Sequence, residues 1–171
     1  YRFDGIDDQI SLGTSSIFDF NGTQDFTVTA WVNIQNVAYD GFIIGKYDYV
    51  GNRGWMFSVT DYGSPYLWFT FGHNTCQAST PEGYFPYNKW VHVAAVIKTG
   101  QKIRMYMNGT EVSYSSQQNA CEVITPTGMD TKIGFRTDTT NRRLNGTVDE
   151  VRIYNRSLTA DQILLLYQSQ S

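Results

Sequence analysis

Asp149 occupies a position that demands chemistry. In the run 148–154 it shares its parity with Val151 and Ile153. A strand there, with side chains alternating between faces, sends all three to the core side. A carboxylate on a core face is costly unless several N–H donors or a cation satisfy it. Two readings stay open: backbone amides, or a hard cation held by oxygen ligands, with calcium foremost. Further acids lie near the start, at Asp4, Asp7 and Asp8, and in turn-rich stretches, at Asp40, Asp48, Asp61 and Asp138. The latter four match no EF-hand-like loop, and a solvated turn carboxylate is the ordinary expectation for each.

Aromatic residues form the second group. Tyr39, Tyr47, Tyr49, Tyr62, Tyr66, Tyr84 and Tyr87 fall in or beside predicted loops, with Trp68 in a strand between them. Sugar C–H faces stack on such rings, and a tyrosine adds a hydroxyl at small entropic cost. That density fits a surface recognising glycans or proteins; tyrosine is also a good strand former that covers sheet edges. His92 falls mid-strand and reads as a hydrogen-bonded core residue, while His73 sits in a polar loop. Neither has a Cys or His at ligand spacing, so zinc is not expected, and no catalytic triad is supported. The four glutamates, Glu82, Glu111, Glu122 and Glu150, are far apart in sequence.

Cys76 and Cys121 are the two cysteines, and joined they would stabilise by roughly 3–4 kcal/mol, chiefly through the unfolded chain. Four Asn-X-Thr/Ser acceptors, at Asn21, Asn108, Asn145 and Asn155, favour a secreted route and hence the disulfide. For the first three, Asn-Gly-Thr is also ordinary hairpin-turn chemistry.

These residues must be positioned by strands. Runs of period two cover 26–34, 41–47, 55–60, 66–72, 89–98, 102–108, 131–136 and 147–155, separated by Gly/Asn/Asp/Pro clusters. In the first, Val28, Ala30, Val32 and Ile34 share one face. Residues 90–97 are apolar on both parities except His92, which predicts a central strand covered on both sides. One helix is predicted at the end: Thr159 as N-cap, Gln162 completing a capping box, and Ile163, Leu164, Leu166 and Tyr167 as its apolar side. A shorter helical turn is possible at 15–19. The pattern means an all-β antiparallel sandwich or barrel forming one domain over 1–171.

With 171 residues, 41% hydrophobic and 17% charged, the chain is long enough for a buried core and is not a disordered polyelectrolyte. A net charge of −3 without a basic stripe excludes nucleic acid as the expected partner. No apolar run reaches membrane-spanning length, so no membrane insertion by this domain is expected. Starting at Tyr1, the chain reads as a mature or trimmed part of a larger surface protein or assembly.

Four segments in order carry a family resemblance: Phe3-Asp4-Gly5 with Asp7-Asp8; residues 26–32, FTVTAWV; residues 90–94, WVHVA; and residues 145–158, NGTVDEVRIYNRSL, followed by Thr159-Ala160-Asp161-Gln162-Ile163. Together they resemble laminin G-like, concanavalin-like jelly-roll domains over essentially the whole chain. The resemblance implies a two-sheet antiparallel jelly-roll sandwich with a short C-terminal helix. Paired first and last strands would set Asp4 beside Asp149, with Asp7 or Asp8 completing a calcium cage. Calcium at the rim is the other implied location, with Asp48 and Asp138 as ligands. Sandwich glucanases carry their catalytic Glu residues close together on one strand, which this chain lacks, so no enzyme activity is expected. The fold hosts many functions. The expected one is an extracellular, cell-surface recognition or adhesion module for glycans or surface proteins, assisted by calcium. The alternative is a structural domain of a surface filament or layer.

Overall fold

The computed structural model describes residues 1–73, 75–136 and 142–170. In chain order the strands are β1 (Arg2–Asp4), β2 (Ile10–Ser11), β3 (Phe26–Asn36), β4 (Asp40–Asp48), β5 (Arg53–Thr60), β6 (Tyr66–Phe71) and β7 (Cys76–Ser79). They continue as β8 (Val91–Ile97), β9 (Arg104–Met107), β10 (Thr110–Glu111), β11 (Ser116–Gln117), β12 (Lys132–Ile133) and β13 (Asn145–Tyr154), before helix α1 (Ala160–Gln170). A six-stranded sheet runs β1-β13-β3-β8-β9-β10 and a seven-stranded sheet runs β11-β7-β6-β5-β4-β12-β2. All strand pairs within both sheets are antiparallel, so the predicted jelly-roll sandwich is the fold.

Alternation builds the core. Val28, Ala30, Val32 and Ile34 of β3 and Val91, Val93, Ala95 and Ile97 of β8 point inward from one sheet. Trp55, Phe57 and Val59 of β5 and Leu67, Phe69 and Phe71 of β6 meet them from the other. Phe26 stacks on Phe20 at 4.0 Å and touches Trp55, Phe69 and Phe71. Each such side chain stabilises by about 1.5–3 kcal/mol through burial.

The outer face of the six-stranded sheet is covered too, as the apolar β8 demands. Ala94, Val96 and Tyr106 pack under Leu158 and Ile163 of the C-terminal segment. Helix α1 begins with the predicted reciprocal cap: Thr159 N donates to Gln162 Oε1 (3.1 Å) and Gln162 N donates to Thr159 Oγ1 (3.3 Å). Leu164 of the expected apolar side stays 39% exposed. The turn at 15–19 is a short 3₁₀ helix, Ser16–Phe18. Strand β7, outside the predicted runs of period two, sends Cys76 and Ala78 into the core.

Candidate functional site

The outer face of the seven-stranded sheet carries a second apolar layer: Phe42, Tyr47 and Met56, with Trp68 half-buried against them. At its edge lies Asp40, the first residue of β4. Expected as a solvated turn acid, Asp40 is instead wholly buried. Its Oδ1 accepts from Thr60 Oγ1 (2.9 Å), and its Oδ2 accepts from Arg136 Nη1 (3.4 Å) and Arg142 Nη1. Burial is tolerated because three donors share the charge. Arg136 lies 5.3 Å from the Tyr47 ring and 5.5 Å from the Tyr49 ring; Arg142 lies 5.7 Å from the Tyr39 ring. Sequence reasoning missed this cluster because Arg136 and Arg142 lie 96 and 102 residues from Asp40. The one usable signal was the near-continuous apolar run after Asp40, which marks a strand buried on both faces.

Beside this cluster the turn 61–65 and the loop 81–88 meet, bringing Tyr62, Tyr84 and Tyr87 to the end of the sheet where Tyr39 and Tyr66 lie. Asp61 N donates to Tyr39 O (2.7 Å), Tyr87 Oη donates to Asp61 Oδ2 (2.7 Å), and Phe85 N donates to Pro65 O (3.2 Å). The rings of Tyr39 and Tyr62 meet edge to face at 6.2 Å. Tyr62, Tyr39 and Tyr84 are 63%, 43% and 38% exposed, enough to offer ring faces to a ligand. Tyr66 is half-buried, and that burial, with the charges of Asp40 and Glu82 nearby, pushes its hydroxyl up to about 12. Burial and the Asp61 carboxylate push the Tyr87 hydroxyl up as well. Both stay protonated hydrogen-bond donors.

The other aromatics divide. Tyr47 is 2% exposed, so it is a packing residue and not the contact residue expected. Tyr49 is exposed past the far end of β4, against His73 at 3.8 Å. Trp68 is half-buried and spends its indole N–H on Gln77 Oε1 (2.9 Å).

The expected Asp4–Asp149 cage does not form. Val148 is the inward residue and Asp149 is exposed. A bulge between Asp149 and Arg152 inserts one extra residue opposite β3, which resets the parity so that Val151 and Ile153 still pack on the core. Pairing of β1 with β13 sets Asp4 opposite Asn145, four residues and roughly 13 Å along the strand from Asp149. What does gather is Asp4, Asp7 and Asp8, with one carboxylate oxygen each, all within 4.8 Å of one another. Asp4 Oδ1 accepts from Ile6 N and Asp8 Oδ2 from Asp4 N. Asp48 caps a hairpin turn: the Gly51 amide, then Arg53, hold its carboxyl below the usual range. Asp138 lies outside the described residues.

Cys76 and Cys121 are bridged, with Cα atoms 6.0 Å apart. Among the acceptor asparagines, Asn108 and Asn155 are exposed. Asn21 is buried, giving its side-chain N–H to Thr125 Oγ1 and accepting from Thr23, and Asn145 donates to Asn36 Oδ1. His92 is buried under α1, its ring between Trp31 (5.6 Å) and Tyr167 (6.3 Å). Its Nδ1 finds no partner among the described residues, contrary to the hydrogen-bonded histidine expected. Burial, then Arg152, hold its pKa down to about 4.

Two antiparallel sheets with an aromatic rim define a lectin-type sandwich. A laminin G family model, described as Concanavalin A-like lectin/glucanases superfamily, matches residues 4–164, and the chain belongs to that family. Solved structures share the fold at low identity. The carbohydrate-binding module CBM40 of the Ruminococcus gnavus IT-sialidase, bound to α2,3 sialyllactose, matches with a TM-score of 0.70 and 14% identity, over 98% of this chain and 97% of that one. Domain 4 of AbnA, an extracellular arabinanase from Geobacillus stearothermophilus solved with arabinotriose, gives 0.68 and 21%, over 98% and 75%. The heptameric SAP-like pentraxin of Limulus polyphemus gives 0.65 and 16%, over 97% and 80%.

Proposed function

We propose that the chain is an extracellular, non-catalytic recognition module that binds glycans at the tyrosine rim of its seven-stranded sheet. The observation that carries this reading is the exposed pair Tyr39–Tyr62, held edge to face beside Tyr84 and Tyr66. Rigid rings with hydroxyls supply stacking area and hydrogen bonds together. Asp61 and Glu82 add carboxylate acceptors for sugar hydroxyls. The buried carboxylate, Asp40, is spent on Thr60 and two arginines, which leaves it no acid–base role. The disulfide and the carbohydrate-binding relatives of the fold support a place outside the cell. Asn108 and Asn155 are the acceptors a glycosylating host would modify.

Calcium assistance belongs to the same proposal. The hard carboxylate oxygens of Asp4, Asp7 and Asp8 suit that ion, whereas Asp149 stands apart from them. Arg143, donating to Ile6 O beside this cluster, already supplies part of the positive charge.

A glycan array on the isolated chain, run with and without EDTA, tests both parts. Binding that Tyr39→Ala and Tyr62→Ala each weaken about tenfold, roughly 1.4 kcal/mol, without lowering the melting temperature is the expected outcome. Silence on the array together with concentration-dependent oligomers would replace this reading with the assembly domain. Binding indifferent to EDTA would remove calcium alone.

A further inference from the structure

The tyrosine rim does not end at Tyr39. Residues 37–39, which connect β3 to β4, serve two places at once. Tyr39 meets Tyr62 at the rim, whereas Val37 and Ala38 line a separate pocket of about 250 Å³. A second junction repeats this arrangement. Arg142 reaches Asp40 beside the Tyr39 ring, and Arg143, next in the chain, lines the pocket. Neighbouring Cα atoms lie about 3.8 Å apart, so the pocket wall follows the rim within the span of one sugar ring.

Polar groups surround this pocket. Asn145 of β13 donates its Nδ2 hydrogen to Asn36 Oδ1 of β3 at 3.1 Å. The side-chain N–H groups of Asn36 and the Oδ1 of Asn145 have no partner among the described residues, and Asn36 is exposed. Asp4 Oδ1 accepts from Ile6 N at 2.7 Å, which leaves its Oδ2 without a partner among the described residues. Arg143 gives one N–H to Ile6 O and carries others. Carboxamide, carboxylate and guanidinium together match vicinal hydroxyls, each of which donates and accepts. Acids outnumber bases along this path. Asp4, Asp61 and Glu82 stand against Arg142 and Arg143, and Arg142 is already spent on Asp40. An anionic ligand is disfavoured there. The volume is also below the roughly 300–1,000 Å³ that encloses a whole drug-sized ligand, which suits one unit of a longer molecule.

Building on the glycan reading of the rim, we propose that this pocket is a second subsite for the same ligand, a neutral oligosaccharide. One ring stacks at Tyr39 and Tyr62, and the next sets its hydroxyls on Asn36, Asn145, Asp4 and Arg143.

NMR titrations at fixed calcium concentration read the two places separately. The probes are neutral cello-, malto-, xylo- and arabino-oligosaccharides of one to three rings, with lactose and 3′-sialyllactose. Backbone amides of Tyr39 and Tyr62 report the rim; side-chain amides of Asn36 and Asn145 report the pocket. Saturable shifts at both places are expected with two or three rings of at least one series, binding about tenfold more tightly than its single ring. Asn36→Ala should cut that ratio below about threefold without lowering the melting temperature. 3′-Sialyllactose should bind no more tightly than lactose. Rim shifts without pocket shifts, or a length dependence that survives Asn36→Ala, would overturn the subsite and leave the rim reading standing. Tighter binding of 3′-sialyllactose than of lactose would overturn the neutral class. No saturable shift with any of these sugars would overturn the rim reading and the subsite together.

Discussion

Asp40 and His92 show how two buried polar residues of one domain carry opposite demands. Asp40 is surrounded: Thr60, Arg136 and Arg142 converge on it, and Arg136 is only 3% exposed. Removing the carboxylate strands a buried guanidinium, which costs about 3–5 kcal/mol. Asp40→Ala should therefore lower the denaturant midpoint far more than Asp48→Ala, whose turn carboxylate is worth about 1 kcal/mol. Equal losses in chemical denaturation would show that the arginines find other partners. His92 is buried, which disfavours its charged form. Its folded pKa, about 4, lies below the ordinary value of 6.5. Between those values the unfolded chain takes up a proton that the native one refuses. Stability should fall as pH drops through that window, by up to about 1.4 kcal/mol per unit and on the order of 3 kcal/mol in all. His92→Phe should flatten this part of the stability–pH curve; a variant with the wild-type slope would assign the effect to other groups.

At the scale of elements, signals written in neighbouring residues were readable and those set by distant partners were not. The parity of β3, the two-sided apolarity of β8 and the Thr159–Gln162 box are local patterns, and each specified its element. The same parity rule placed Asp149 in the core. It failed because a bulge leaves no trace in hydrophobic period: Val151 and Ile153 look continuous with Asp149 until one extra residue is inserted before them. Strand β7 escaped notice because four residues, CQAS, carry only two apolar side chains, and its partners are β6 and β11. The tyrosine rim was legible as a group, since its members recur in adjacent turns. That Tyr47 lies outside the rim depended on Arg136 crossing its ring, a contact across 89 residues of chain. The helix cap allows a direct test. Thr159→Ala removes the acceptor for Gln162 N and should cost about 1 kcal/mol, seen as earlier amide exchange through α1. Unchanged protection there would mean that packing of Ile163 and Leu158 alone holds the helix.

At the scale of the molecule, the disulfide closes one side of the sandwich. Residues 115–123 are bonded to β7 of the seven-stranded sheet and to the turn that leads into β9 of the other. Ser115 N and Gln118 N donate to Ser79 O and Gln77 O of β7, Ile103 N donates to Gln118 O, and Ala120 N donates to Gln101 O. The segment continues to Val123 N, which donates to Asn21 O, and Cys121 O packs where any side chain on Gly22 would clash. Cys76 belongs to β7 and Cys121 to this crossing segment, so the bond ties the seven-stranded sheet to the strap that reaches the other sheet. Cysteines 45 residues apart restrict the unfolded chain by roughly 3–4 kcal/mol, a shift of order ten degrees in melting temperature for a domain this size. Reduction should therefore destabilise by that amount, and hydrogen exchange in the reduced protein should rise first at residues 115–123. If protection is lost evenly across both sheets instead, the bond acts on the unfolded chain alone, and the strap is held by its backbone hydrogen bonds without it.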